Sequence, residues 1–132
     1  MLVILDSSML MLPLEKKINI TSELERIIPI DFEIVIPVII IKELKKLVEE
    51  SSPSTKQKAQ FALKLAKKYT ILDSKTEVKA DYELERLAEK HKAIIATNDT
   101  ALRLRLRQKG LPVISLYGNN KLSLFGFAEM SN

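Results

Sequence analysis

Four carboxylates stand where apolar runs give way to polar connections. Asp6 closes the run Leu2-Val3-Ile4-Leu5, and Asp99 follows Ala93-Ile94-Ile95-Ala96 by way of Thr97-Asn98. Glu43 lies in the amphipathic stretch after a second run, Glu33 to Ile36. Asp81 lies near the start of the stretch after a third, Lys68 to Leu72. Carboxylates gathered without cysteine or histidine make an oxygen-only site, which suits the hard cations Mg2+ and Mn2+. The chain has no cysteine and a single histidine, His91, so thiolate sites and imidazole-rich sites are excluded. The reaction most in need of such a cluster is phosphodiester hydrolysis, where a pair of ions ~3.5–4 Å apart activates water and stabilises the leaving oxygen.

For the four acids to meet, the elements around them must share one rim. Five short apolar runs read as strands: Leu2 to Asp6, Glu33 to Ile36, Lys68 to Leu72, Ala93 to Thr97 and Pro112 to Leu116. Near-continuous apolar strands suit a parallel sheet covered on both faces. Between them lie helical patterns. One or two short helices occupy Ser8 to Ile28, limited by Pro13 and Pro29. Pro37 to Glu50 carries Ile40, Leu44, Leu47 and Val48 on one stripe, and Ser54 to Lys67 carries Ala59, Ala62, Leu63 and Ala66. A further helix runs from Thr76 or Lys79 to Lys90, with Ala80, Leu84, Leu87 and Ala88 together. The segment Leu102 to Arg107 alternates Leu with Arg, as a strand would. Its punctuation is helical, with a cap in Asn98-Asp99-Thr100, a stop at Gly110 and a breaker at Pro112, so a helix is predicted over Asp99 to Lys109. Asn119-Asn120 then turns the chain into a short strand, Leu122 to Phe125.

Strand and helix in alternation mean an open α/β sheet with right-handed crossovers, in which ligands bind outside the carboxyl ends of the strands. Each of the four acids belongs to a βα connection or to the helix directly after one, so the fold gathers them at that rim. On a helical wheel Glu43 borders the apolar stripe between Ile39 and Leu47, and Asp81 borders the stripe of Leu84 and Ala88. A charge at the edge of a buried face needs a partner, either a nearby basic residue or a cation. Each acid alone has an ordinary structural alternative. Asp6 or Asp99 caps a helix, Asp81 complements a helix dipole, and Glu43 makes a surface salt bridge. Four such coincidences at one rim weaken that account.

With 132 residues the chain is expected to form a single domain, 1–132, of the ordinary globular class, since 46% of residues are apolar and 29% charged. The net charge of +4 is compatible with an anionic partner without requiring one. The longest apolar run, Ile34 to Ile41, contains Pro37 and is far short of the ~20 residues that cross a bilayer. No basic segment precedes the apolar start, so no secretory signal is read and a cytoplasmic location, with no membrane partner, is expected.

The acids and their surroundings carry a resemblance. The opening Val3-Ile4-Leu5-Asp6-Ser7-Ser8, Glu43 in Ile41-Lys42-Glu43-Leu44, Asp81 in Lys79-Ala80-Asp81-Tyr82, and Ala96-Thr97-Asn98-Asp99-Thr100 together resemble the PIN-domain family of metal-dependent nucleases, over essentially the whole chain. Leu10-Met11-Leu12-Pro13 and the segment Ile36 to Leu44 look like the type that processes ribosomal RNA precursors in archaea and eukaryotes. The resemblance implies a three-layer α/β sandwich, with a central parallel five-stranded sheet of order 3-2-1-4-5 flanked by helices. It implies hydrolysis of single-stranded or structured RNA to 5′-phosphate and 3′-hydroxyl ends. Asp6, Glu43, Asp81 and Asp99 would be the catalytic residues and the ligands of Mg2+ or Mn2+, supported by Ser7, Thr97 and Asn98. Many relatives carry a further acid where this chain has Tyr82, a departure that thins a second metal site.

Other features are less decisive. Arg103, Arg105 and Arg107, with Lys109, are candidates for RNA phosphates against the alternative of a solvated helix face, and Arg103 and Arg107, which share a helical face, are the better pair. His91 reads as a helix end. No aromatic series suited to base stacking is visible, and the Phe125-Gly126-Phe127 tail suits an edge cover or a partner chain, whether a second copy or a ribonucleoprotein component. Competing functions are a PIN-like module that binds RNA or protein without cutting, a toxin nuclease of a toxin–antitoxin pair, and a phosphoacceptor receiver domain with Asp73 as acceptor.

Overall fold

Strand β1 (Leu2–Leu5) has no polar side chain, and in the computed structural model, which describes residues 1–126, it runs through the middle of one sheet. It pairs in parallel with β2 (Glu33–Pro37) on one side and β4 (Ile94–Ala96) on the other, so that Val3 stands opposite both Ile34 and Ile94. β3 (Thr70–Leu72) extends the sheet beyond β2, and β5 (Val113–Tyr117) extends it beyond β4. Val3, Ile4, Leu5, Ile94, Ile95 and Ala96 are all fully buried, as strands covered on both faces must be.

The order is β3-β2-β1-β4-β5-β6, which contains the expected 3-2-1-4-5. The sheet nonetheless has six strands rather than five. The segment after Asn119-Asn120 becomes β6 (Lys121–Phe125), which pairs antiparallel with β5 around the turn Gly118-Asn119-Asn120, where Gly118 takes a φ of 65°. A three-residue hairpin loop with glycine in the left-handed region reverses the chain without a crossover, so this strand can only be antiparallel. Phe127, the end of the tail segment singled out in the sequence, lies outside the described residues. The order also separates this sheet from a receiver domain, in which the third strand lies beside the first. Here β3 is an edge strand, and Asp73 at its end is two strands away from Asp6.

Helix α1 (Ser7–Lys16) begins at Asp6, whose side chain accepts from Met9 N, and ends at Lys17 with a left-handed φ of 54°. It runs straight through Pro13, which the sequence had set as a limit. The ring removes one backbone hydrogen bond, but burial of Met9, Leu10 and Leu12 against the sheet and α4 outweighs that loss. Helix α2 (Ile20–Ile27) follows, then α3 (Val38–Glu50) and α4 (Pro53–Ala66), which pack on each other. Helix α5 (Ala80–His91) lies on β1 and β4, and α6 (Thr100–Gln108) on β5. His91 is the last residue of α5, as expected. In α6 the Leu/Arg alternation resolves as helix: Leu102 and Leu106 are buried while Leu104 is 55% exposed, because a helix cannot bury every second residue. No helix among the described residues is long and apolar enough to cross a membrane.

Two contacts set the helices that carry acids. The Ile39 N–H at the start of α3 donates to Ser74 Oγ at 3.0 Å, and Lys42 pairs with Glu77 at 2.8 Å. The segment between β3 and α5 is thereby tied to α3. The beginning of α5, with Asp81, is held beside the face of α3 that carries Glu43.

Candidate active site

Asp6 is the most enclosed of the four acids, with 6% of its surface exposed. One carboxylate oxygen accepts from Met9 N at 2.9 Å and from Ser8 Oγ at 2.7 Å, and the other accepts from the Thr97 hydroxyl. Burial pushes its pKa up to about 6, these donors pull it back, and the nearby charge of Glu43 adds to the rise. The ends of β1 and β4 are laced together around it. Asp6 N donates to Ala96 O at 3.2 Å, Asn98 N donates to Ser8 Oγ at 2.8 Å, and Asp99 N donates to Thr97 Oγ1 at 3.0 Å.

Asp99 caps α6, accepting from Leu102 N at 3.1 Å, and Glu43 accepts from the Ser7 hydroxyl. Asp81 sits in the first turn of α5, half-buried. Partial burial raises its pKa, the charge of Asp99 raises it further, and Arg105 opposes both. All four acids line one cavity of about 210 Å³, with Ser7 and Ser8 beside them and Met11, Ile40, Leu47 and Leu84 among its apolar walls. The supporting residues are there as well. Ser7 holds Glu43, Thr97 bridges Asp6 and Asp99, and Asn98 contributes its backbone N–H.

A comparison within α5 shows what distinguishes this quartet. Of the quartet only Asp6 is buried, Asp81 being half-buried and Glu43 and Asp99 exposed, whereas Glu83 and Glu85 are both buried and each is neutralised. Arg86 grips Glu83 with two bonds of 2.7 Å while Lys75 N donates a third, and Glu85 holds Arg105 at 2.7 Å together with Lys109. Their cations keep both carboxyls below the usual range. Among the described residues, none of Asp6, Glu43, Asp81 and Asp99 is in an ion pair. Charges gathered in one cavity without a counterion are what a hard divalent cation would satisfy. No three acids among the described residues already stand in a coordinating arrangement. Hydroxyl donors orient Asp6 and Glu43, and the lone pairs those bonds leave over are the ones that could face an ion.

Because Glu83 is structural, Glu83→Gln should cost stability without touching the cavity. Loss of its charge-assisted bonds is expected to lower the unfolding free energy by about 1.5–3 kcal/mol in a denaturant titration. A change within about 0.5 kcal/mol, the range of ordinary surface substitutions, would show the pair to be dispensable.

Sequence reasoning missed Ser8, Glu83 and Glu85, and it read Arg105 with its neighbours as a candidate phosphate contact where the structure pairs it with Glu85. Ser8 had a signal, being a hydroxyl two residues after an acid that caps a helix. Glu83 had one too, in the i,i+3 arginine at position 86. Nothing local links Glu85 to Arg105. Of the two arginines preferred for RNA, Arg103 is half-buried, and its side chain shows no ion pair or hydrogen bond among the described residues. Arg107 instead donates to Leu111 O at 2.8 Å, and Gly126 passes so close to its guanidinium that a Cβ there would overlap it.

A family described as PIN like domain matches residues 3–119, and so spans the five parallel strands and every one of these acids, with β6 beyond it. The chain belongs to the PIN-like domain family. Ribonuclease VapC4 of Methanocaldococcus jannaschii is 31% identical over 123 residues, covering 92% of this chain and 94% of that one. Ribonuclease VapC9 of Archaeoglobus fulgidus is 38% identical over 72 residues, which is 54% of this chain and 52% of that one. Among solved structures, that of the PIN domain endonuclease Utp24 superposes with a TM-score of 0.78 at 25% identity, covering 96% of this chain and 92% of that one. A domain of a functionally unknown Methanocaldococcus jannaschii protein shares the fold, with a TM-score of 0.66 at 16% identity and coverage of 91% and 94%. The PIN-like fold explains why the acids meet. Asp6 and Asp99 leave the two adjacent strands at which the sheet order reverses, and the helices after β2 and β3 bring Glu43 and Asp81 over that crevice.

Proposed function

We propose that this PIN-like chain is an endoribonuclease dependent on Mg2+ or Mn2+, with Asp6, Glu43, Asp81 and Asp99 as the residues that hold the ion. The observation that carries the reading is the quartet: acids from four separate connections line one cavity, unpaired among the described residues. Family membership and relatives named as ribonucleases support the reaction class. A bound divalent ion supplies Lewis acidity and lowers the pKa of its water. The chain's own residues do the rest. Thr97 and Ser8 fix the orientation of the Asp6 carboxylate, Ser7 steers Glu43, and the Asn98 N–H holds Ser8 in place. The apolar walls limit water around buried Asp6 and so strengthen its pull on a cation, while Glu43 and Asp99 reach solvent.

Precursor ribosomal RNA is the substrate class we infer, from the Leu10 to Pro13 and Ile36 to Leu44 segments and the likeness to a PIN endonuclease. A toxin nuclease would share the chemistry but predicts a tight inhibitory protein partner, which co-purification tests. For the RNA path, Arg103 is the better of the two arginines, since Arg107 is engaged with Leu111. Arg103→Ala should weaken single-stranded RNA binding at every sequence and flatten the plot of log affinity against log salt by about 0.7. An unchanged slope would return Arg103 to a solvated face.

The deciding experiment incubates purified protein with end-labelled RNA and Mn2+, beside an EDTA arm and an Asp99→Asn control. Products with 5′-phosphate and 3′-hydroxyl ends, absent from both controls, are expected. Cleavage that persists in EDTA would remove the metal from the mechanism. RNA binding without cleavage under any divalent ion would favour the non-catalytic module.

A further inference from the structure

Next in the chain to cavity-lining Asp81 stands an aromatic ring already stacked on a cation. Tyr82 directly follows Asp81 in α5 and is 52% exposed. The carbon of the Arg105 guanidinium lies 3.9 Å from its ring centroid, and Lys79 Nζ lies 5.9 Å from the same point. A tyrosine on an open helix surface would exchange among rotamers; this one is braced. Arg105 is itself fixed by the ion pair to buried Glu85 at 2.7 Å, so the chain from Glu85 through Arg105 to Tyr82 transmits the rigidity of the core to an exposed ring. Tyr82 follows Asp81 directly, and Arg105 lies near enough to Asp81 to act on its charge, so the stack stands next to a wall of the acid cavity.

A half-exposed ring held in one orientation, with two cations at hand, has the chemistry that recognises an unpaired nucleotide. The ring and guanidinium planes accept a base, and the cations attract its phosphates. A duplex keeps its bases stacked inside and cannot use such a surface. We propose that Tyr82, braced by Arg105, is the stacking platform for an unpaired base of the RNA that enters the acid cavity. The proposal rests on the ribonuclease reading and adds to it a residue that positions one unpaired base beside the cut. One ring set by tertiary contacts does what a series of aromatics along the sequence would otherwise be needed for.

The test uses the full chain carrying Asp99→Asn, so that RNA is bound and not cut, with Mg2+ at fixed salt. Fluorescence anisotropy of a labelled single-stranded oligonucleotide is expected to show affinity falling about 5- to 150-fold on adding Tyr82→Leu, the range for one lost base–aromatic stack. Tyr82→Phe and Tyr82→Trp should stay within about twofold of the parent, because any aromatic face serves. A series of RNAs, each with one abasic position, adds a readout that needs no protein variant. One position should weaken the parent by the same factor and leave the Tyr82→Leu protein unaffected. Equal affinity of parent and Tyr82→Leu, or equal losses for Leu and Phe, would overturn the platform while leaving the nuclease reading intact. Failure of the parent to bind any RNA would overturn both.

Discussion

Asp6→Asn and Asp99→Asn are each expected to abolish RNA cleavage while leaving the protein folded. Either change removes one negative ligand from a cavity whose proposed role is to hold a divalent ion, and the Lewis acid of such a site contributes several kcal/mol to the transition state. At about 1.4 kcal/mol per factor of ten, a loss of at least about a hundredfold in the single-turnover rate is expected. The fold should survive because asparagine keeps the structural part of each role. Its side-chain oxygen still accepts from Met9 N at position 6 and from Leu102 N at position 99, so both helices remain capped. Circular dichroism of each variant, beside cleavage at saturating Mn2+, separates the two contributions. Activity within a few-fold of the parent would remove the residue from the site.

The second large effect has the opposite sign. With chelator present, Asp6→Asn should be more stable than the parent at neutral pH. The folded Asp6 carboxyl titrates at about 6 against 3.8 for the free group, so the native state binds this proton more tightly than the unfolded chain does. Its contribution to stability is therefore greatest below about pH 4, declines as pH rises through that window, and is fully lost above about pH 6. A rise from 3.8 to about 6 corresponds to a penalty on the order of 2–3 kcal/mol at neutral pH. Asparagine cannot ionise and escapes the penalty. The melting temperature should rise by several degrees at pH 7.5 and differ little at pH 4, where the parent is protonated in both states. Added Mn2+ should reverse the order, since an ion at a hundred times its dissociation constant stabilises a binding-competent fold by about 2.7 kcal/mol, and Asp6→Asn forgoes much of it. A variant less stable than the parent in EDTA at pH 7.5 would mean that the desolvation of Asp6 is offset in a way the hydrogen bonds from Thr97, Ser8 and Met9 do not provide.

That trade of stability for a charged cavity was legible in outline from the primary structure. The reason is that strand ends and caps are local. Asp6 and Asp99 each terminate an apolar run and cap the helix that follows, and both facts depend on neighbours within a few residues. Glu43 and Asp81 could be placed by helical spacing against the stripes of Leu44 and Leu84. The helix over α6 was readable despite its strand-like alternation, because caps and breakers constrain the backbone at particular residues. Pro13 misled for the complementary reason. A local rule about proline was outweighed by the burial of Met9, Leu10 and Leu12, which no window of sequence contains.

By itself, then, the sequence determined the order of strands and helices, the oxygen-only character of the acids and their attachment to one rim of a parallel sheet. Those properties follow from hydrophobic periodicity and from residues that stop or start an element. Only the tertiary structure decided which charges are satisfied and which are not. Glu85 meets Arg105 across 20 positions, Tyr82 stacks on the same guanidinium, and Thr97 reaches Asp6 across 91. Pairings of that separation are made by packing, and a buried carboxylate is structural or available to a cation according to whether packing delivers an arginine to it.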